Sequence, residues 1–452
     1  MKTVTQWERV EDESAWVDPD FRRLFRASAL SVFGSEIGEL ALPLLAIITL
    51  AATPSEVGLL RAAQFLPFFL ATLPLGMLID HHAKKQLMVR ADIGRFLLVA
   101  AIPISVWLGL AEIEIVYVLV FAVGCLTVLH QLCDFAYLPA LVPASRIVDA
   151  NSKLSAAHSG NEIAGKGVGG VIVQLLTAPF AVLFHSLTYL VSAFELSKIR
   201  ALESVEPVSR SGSKFHEAIT GLVAAWRHRY IRPLLLEATT FNLFNEIFIL
   251  ALLLHAVRGL GLDAAAIGLV FVGGGIGSFI GAWFGPKVTH RLGYGRVLLV
   301  TMAVGNAVPM AAVFTRTEPM TGLGVLVATF AVMGIGIGVA NVHAVSLRQI
   351  AVRDDLRGRV NAGYRLVSWS VLPLGATIGG LLATGVGPYE AMLIGAFGLP
   401  LATVWVLFSP IPGLRDIAEA IDPMTSDPVR WLDEERGVPT MSDHSGFDPV
   451  NE

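Results

Sequence analysis

Stretches of about twenty apolar residues, long enough to carry an α-helix across the roughly 30 Å hydrocarbon core of a bilayer, recur twelve times in this 452-residue chain. They fall at roughly 25–50, 56–80, 88–110, 114–137, 151–177, 179–197, 234–257, 265–286, 296–315, 321–346, 361–384 and 388–408. Only helices and closed barrels satisfy the backbone inside a bilayer, and apolar runs of this length belong to helices. The composition agrees: 54% of residues are hydrophobic and 15% charged, against about a quarter charged in soluble domains. The expected fold class is an all-α membrane protein with twelve transmembrane helices.

Residues 1–20 are polar and acidic, unlike the basic stretch and short apolar core of a cleavable signal peptide, so the first span is expected to serve as the insertion signal. Cys125 and Cys133 are eight helical residues apart in one span, about 12 Å by helix rise and beyond disulfide reach. Lys and Arg are concentrated in alternate loops. One set of loops holds nineteen of them, including Lys84, Lys85, Arg146, Lys198, Arg291, Arg357 and Arg359, and the other set only Arg258 and Arg316. By the positive-inside rule, the basic loops and both termini are expected to be cytoplasmic in a multi-pass cell-membrane protein. The net charge of −4 reflects an acidic tail beyond Pro410. That tail is expected to be mostly disordered, with room for a short amphipathic piece around Leu414 to Ile421.

Sliding the chain against itself at an offset of 210 residues aligns Glu36 with Glu246, Gly58 with Gly268, Asn151 with Asn361 and Gly169-Gly170 with Gly379-Gly380. Each half then holds six spans, an even number, so the halves form a parallel repeat about an axis along the membrane normal, an arrangement used for alternating access. The expected domains are a cytoplasmic tail at 1–20, a six-helix half at 21–197, a linker at 198–232, a second half at 233–408 and the acidic tail at 409–452. The linker carries an amphipathic segment near Phe215 to Trp226, expected to lie on the cytoplasmic interface. A ligand site is expected between the halves.

Charged groups inside spans are costly and usually paired or functional. Glu36 and Glu39 sit near the middle of the first span in "GSEIGELALPLL". Three residues apart on a helix, they can share a proton or a cation, and Lys166 is a candidate partner for Glu39. Glu162 precedes Lys166 by one helical turn in "NEIAGKGVGG". The readings open there are a structural ion pair, a substrate or coupling site, or a lysine reaching the interface. Asp134, Asn242, Asn245, Gln64, His185, His255, Asn341, His343, Arg365 and Trp369 also fall in or at the ends of spans, where interhelical hydrogen bonding is the default role.

The stretch Gly160 to Lys166 is one residue short of a phosphate loop and has Gly167 where Ser or Thr should hold magnesium. "GGGIGSFIG", Gly273 to Gly281, is helix-packing surface rather than a dinucleotide fingerprint. Neither a tight metal-ligand cluster nor a G-x-S-x-G elbow occurs in the sequence, so neither an enzyme nor a cofactor is expected.

The segment "GMLIDHHAKK", Gly76 to Lys85, resembles the loop after the second span of the major facilitator superfamily, roughly G-x-x-x-D-R-x-x-R-R/K, with His81 in place of the family's Arg. "VGLLRAAQFLPF", "ADIGR", "YLPALVP", "DANSKLSA" and "RGRV", in that order, are similar to bacterial exporters such as the enterobactin exporter and macrolide-efflux proteins, of the transmembrane secretion effector type. The resemblance covers roughly residues 21–408. It implies gating roles for Gly76, Asp80, Lys84, Lys85, Asp92, Arg95, Arg357 and Arg359. A topology signal, with Asp80 as a cap, is the alternative reading of that loop. The resemblance further implies proton-coupled export of a small amphipathic compound by a monomer, with spans 1, 4, 7 and 10 around a central cavity. Glu36 and Glu246 would then face each other across it. Expected partners are the substrate, protons and lipid, without nucleic acid. The alternatives are another cargo or direction, such as a lysolipid or uptake, or a receptor or scaffold that transports nothing.

Overall fold

The computed structural model describes residues 14–79, 82–201, 214–316, 318–352 and 354–420, which are helical apart from short connections and contain no strand. The helices of the first half are α1 (Pro19–Leu44), α2 (Pro54–Leu70), α3 (Thr72–Ile79), α4 (Lys84–Trp107), α5 (Ile113–Leu141), α6 (Ile147–Leu176) and α7 (Ala178–Ser197). After α8 (Lys214–Arg227) come α9 (Ile231–Leu254), α10 (Ala264–Leu292), α11 (Tyr294–Ala307), α12 (Pro319–Ala351), α13 (Asp354–Ser370), α14 (Leu372–Gly385), α15 (Pro388–Gly398) and α16 (Pro400–Leu407). With α2–α3, α13–α14 and α15–α16 each counted as one broken rod, twelve rods stand in two sets of six.

Proline sets the breaks. Pro74 has no N–H for the Leu70 carbonyl, Pro373 none for Trp369, and Pro400 none for Ala396, so each rod bends where an i to i−4 bond is lost. Local chemistry sets the starts: the Asp18 side chain accepts from the backbone N–H of Asp20 and Phe21 ahead of α1, and Thr53 with Glu56 forms a capping box ahead of α2. Among the described residues nine rods are long and apolar enough to cross a membrane by themselves. The other three are α2–α3, broken at Ala71, and α4 and α6, which carry several charged residues each.

The repeat extends to backbone geometry. α1 and α9 end in matching π-helical turns, Leu45–Thr49 and His255–Gly259. Ala51 (φ 50°) corresponds to Gly261 (φ 64°), and Thr177 (φ 109°) to Gly387 (φ 102°).

The halves meet along two seams, α2 against α14 and α6 against α10. At the end away from the termini a Cβ on Gly58 would lie 2.9 Å from Gly380 Cα, and one on Gly170 would lie 3.0 Å from Gly268 Cα. These four glycines are two pairs related by the 210-residue offset, so the same contact is made twice across the repeat axis. Small residues permit such backbone approach in membrane helices. The Arg258 side chain donates to the Ala52 carbonyl, and Gln174 accepts from the Ala264 N–H (3.3 Å), so the halves are closed together at that end.

The amphipathic linker segment is helix α8 and packs on α13: a Cβ on Gly221 would meet the Arg359 carbonyl at 2.0 Å, so only glycine fits. The start of the tail, where a short piece has room around Leu414 to Ile421, is anchored by the Leu414 and Arg415 carbonyls, which accept from the Gly295 and Tyr294 N–H groups at the start of α11 (2.9 and 3.1 Å). Residues 421–452 lie outside the described residues.

Candidate functional site: a charged seam between the halves

Glu36 and Glu39 leave α1 on the side facing a cavity of about 380 Å³. Its walls come from the first half, with Arg61, Gln64 and Asp134 on them, and from Trp369 of the second half. α6 closes against α1 because Gly165 has no side chain: a Cβ there would stand 2.5 Å from Glu36 Cβ. That approach lets Lys166 Nζ reach Glu36 Oε2 at 3.3 Å and Glu39 Oε2 at 3.5 Å. Glu39 Oε1 lies 3.7 Å from an Arg61 Nη1. Arg61 crosses to the other half with two bonds to Glu246, Nε to Oε1 at 2.8 Å and Nη2 to Oε2 at 3.1 Å. Arg61 and Glu246 side chains are each only 4% exposed. The result is a continuous line, Glu36, Lys166, Glu39, Arg61, Glu246, with three carboxylates and two cations.

The line is asymmetric in a way the repeat makes plain. Glu36 and Glu246 occupy the same slot in their halves, each with a glycine at its back, Gly165 and Gly375. The position equivalent to Lys166 in the second half is Ala376, and the position equivalent to Arg61 is Phe271. Glu36 therefore finds a cation inside its own half, whereas Glu246, among the described residues, finds its cation on the opposite half. Lys166 points past Glu36 toward that Phe271 ring, 5.6 Å from its centroid.

Glu246, expected at the cavity with Glu36, is buried and clamped by Arg61. Of the partners open to Lys166, the structure gives it Glu36 and Glu39 of α1 and not Glu162, which is exposed and makes no ion pair among the described residues. Gly160 to Lys166 is uninterrupted α6, so the near match to a phosphate loop lies inside a helix.

Asp134 lines the cavity with one buried carboxylate oxygen lacking a hydrogen-bond partner. Asn242 donates to the Ser368 carbonyl at 2.6 Å, and Asn245 is half-buried on α9. Asp92 and Arg95 pair with each other inside the first half, between α4 and α7, and Arg95 lines the same cavity as Glu36 and Glu39. There Asp92 accepts from Ser192 Oγ at 2.6 Å, and Arg95 stacks on Tyr189 at 4.2 Å. Gly76 sits in α3 and Lys84 opens α4. Lys85 donates to the Ile199 carbonyl at 2.6 Å. Arg357 donates to the Val352 carbonyl at 3.4 Å, and Arg359 is exposed. Asp80 lies outside the described residues. No metal-binding group of His, Cys, Asp and Glu occurs among the described residues.

Arg61 was not singled out from the sequence. The signal was present within "VGLLRAAQFLPF": a cation inside an apolar span is as costly as Lys166 and calls for a partner by the same rule.

Two six-helix halves in parallel repeat, joined by a buried charged seam, define a membrane transporter of the major facilitator class. The chain matches the family of transmembrane secretion effectors over residues 15–441 and belongs to it. It is 24% identical over 385 residues to the uncharacterised MFS-type transporter YfiS of Bacillus subtilis, covering 82% of this chain and 88% of the relative. It is 25% identical over 387 residues to the multidrug efflux pump Tap of Mycolicibacterium fortuitum, covering 81% and 90%. Among solved structures, the nucleoside transporter NupG superposes with a TM-score of 0.68 at 12% identity, covering 86% of this chain and 99% of that one.

Proposed function

We propose that the protein is a proton-coupled exporter of small amphipathic compounds, working by alternating access with both termini in the cytoplasm of the cell. The observation that carries this is the cross-half clamp of Arg61 on Glu246, with no cation of its own half paired to Glu246 among the described residues and Ala376 where the first half has Lys166. Opening the closed end parts α2 from the second half and draws Arg61 away. A buried carboxylate that loses its partner costs about 3–5 kcal/mol, unless it takes up a proton. The outward-open state therefore loads a proton from outside, and the closed state recovers the ion pair and releases it inside. Glu36, Lys166 and Glu39 travel together in the first half and hold Arg61 in place when Glu246 leaves. Export as the direction is supported by the likeness to an efflux pump.

The test is flux in everted vesicles across a panel of hydrophobic cations, siderophores and lysolipids with internal pH recorded. Glu246→Gln is expected to abolish gradient-driven accumulation while substrate counterflow persists, because glutamine mimics the protonated form and permits both states. Accumulation in that variant that still tracks the imposed pH gradient overturns the assignment. Glu36→Gln, which leaves the clamp intact, is expected to weaken coupling less.

A further inference from the structure

The second half contains a cavity of its own, about 540 Å³, between α9, α11, α12 and α13 on the terminus side of the seam. Its size lies within the range of small-molecule sites, roughly 300–1,000 Å³. Four titratable side chains line it: Glu237, Arg348, Tyr364 and Arg365. Glu237 is 8% exposed at the back wall, beside Asn306. Neither arginine has an acidic partner among the described residues. Each guanidinium instead lies over an aromatic ring, Arg348 over Tyr364 at 3.8 Å and Arg365 over Trp369 at 4.4 Å, and Arg348 Nε is buried without an acceptor. Stacking holds a guanidinium flat and leaves its N–H edge free, the arrangement suited to an oxyanion. Trp369 also lines the cavity of the charged seam and meets Phe68 edge-on at 5.6 Å, so an aromatic path joins the two spaces.

We infer that this cavity binds the cargo, and that the cargo is an amphipathic aromatic anion, its carboxylate or sulfonate held by Arg348 and Arg365 and its ring system laid against Trp369. This rests on the transport reading above and divides the labour: the seam handles the proton, and the second half reads the substrate. A cationic cargo, common among hydrophobic drugs, is disfavoured by two uncompensated guanidiniums facing a single carboxyl.

The test is equilibrium binding by calorimetry on the purified full-length protein in detergent, with no gradient, using two probes that share a ring and differ in charge. Naphthalene-2-sulfonate is expected to bind at least tenfold more tightly than 2-naphthylmethylammonium. Arg365→Gln and Arg348→Gln are each expected to lose that preference while eluting as monodisperse protein. Arg365→Lys is expected to keep part of it, and Gly160→Leu, outside both cavities with nothing within 4 Å of its Cβ, all of it. Equal binding of the two probes to the unmodified protein overturns the inference without recourse to any variant, as does full anion binding in folded Arg365→Gln and Arg348→Gln. The two readings fail separately: anion binding without gradient-driven flux defeats the transport reading, and gradient-driven flux of the ammonium probe without anion binding defeats this one.

Discussion

Thr177 and Gly387 are the same residue of the repeat, with φ of 109° and 102°, a region that costs a residue with a side chain about 1–3 kcal/mol. The second half places glycine there and the first does not. Thr177→Gly is therefore expected to stabilise the protein by about 1 kcal/mol, read as a higher unfolding temperature in detergent, and Gly387→Ala to lower it. The Ala would also push against Glu390 Oε2, 2.7 Å from a Cβ at that position. The same comparison at Lys166 and Ala376 separates two glutamates that the sequence alone makes equivalent. One has a resident cation and the other a borrowed one.

α6 shows how one element serves both a structural and a charged role. Its glycines, Gly165 and Gly170, bring it against α1 and α10, and Lys166 between them is delivered to the carboxylates of α1. Its first turn, ahead of the apolar span, anchors the chain's beginning. Asp149 accepts from Lys153, from the Ala15 N–H at 2.7 Å and from Ser14 Oγ at 3.5 Å. These bonds, that from Lys153 first, hold the Asp149 carboxyl below the ordinary aspartate range. A lowered pKa contributes stability that is present above the unfolded value of about 3.9 and is lost as pH falls through the folded value. Hydrogen-exchange protection of residues 14–18 is expected to persist at about pH 5 and to fall only below about pH 4. Asp149→Asn should expose that segment already at neutral pH.

At the scale of the molecule, closure depends on Gly58 with Gly380 and Gly170 with Gly268. Gly170→Leu drives a side chain at the Ala264 carbonyl, 2.5 Å from a Cβ at that position, and backbone cannot move aside without parting the halves. Overpacking of this kind costs about 1–3 kcal/mol, a roughly five- to hundredfold loss of the closed state. Transport is expected to fall by a comparable factor at unchanged membrane abundance. Gly160→Leu, on the same helix with nothing within 4 Å of its Cβ, is expected to transport normally.

The sequence alone carried the all-helical membrane fold, the twelve apolar stretches, of which nine become rods long and apolar enough to span a membrane by themselves among the described residues, the 210-residue repeat and the intramembrane charges Glu36, Glu39 and Lys166. Span length and the cost of charge in lipid leave a one-dimensional trace, and duplication leaves a fixed offset. The pairs at Gly58 and Gly170 were legible as repeats but not as contacts, because an offset names equivalent residues and not neighbours. Proline positions shifted rod boundaries such as Ala71 and Val371 away from a purely apolar reading. The tertiary structure chose between the partners open to Lys166, Glu36 and Glu39 of α1 over Glu162 on its own helix, and it alone brought Arg61 to Glu246 across the seam. The physical reason is that helix periodicity fixes which face a charge occupies, whereas its partner is chosen by which helices the glycines allow to touch.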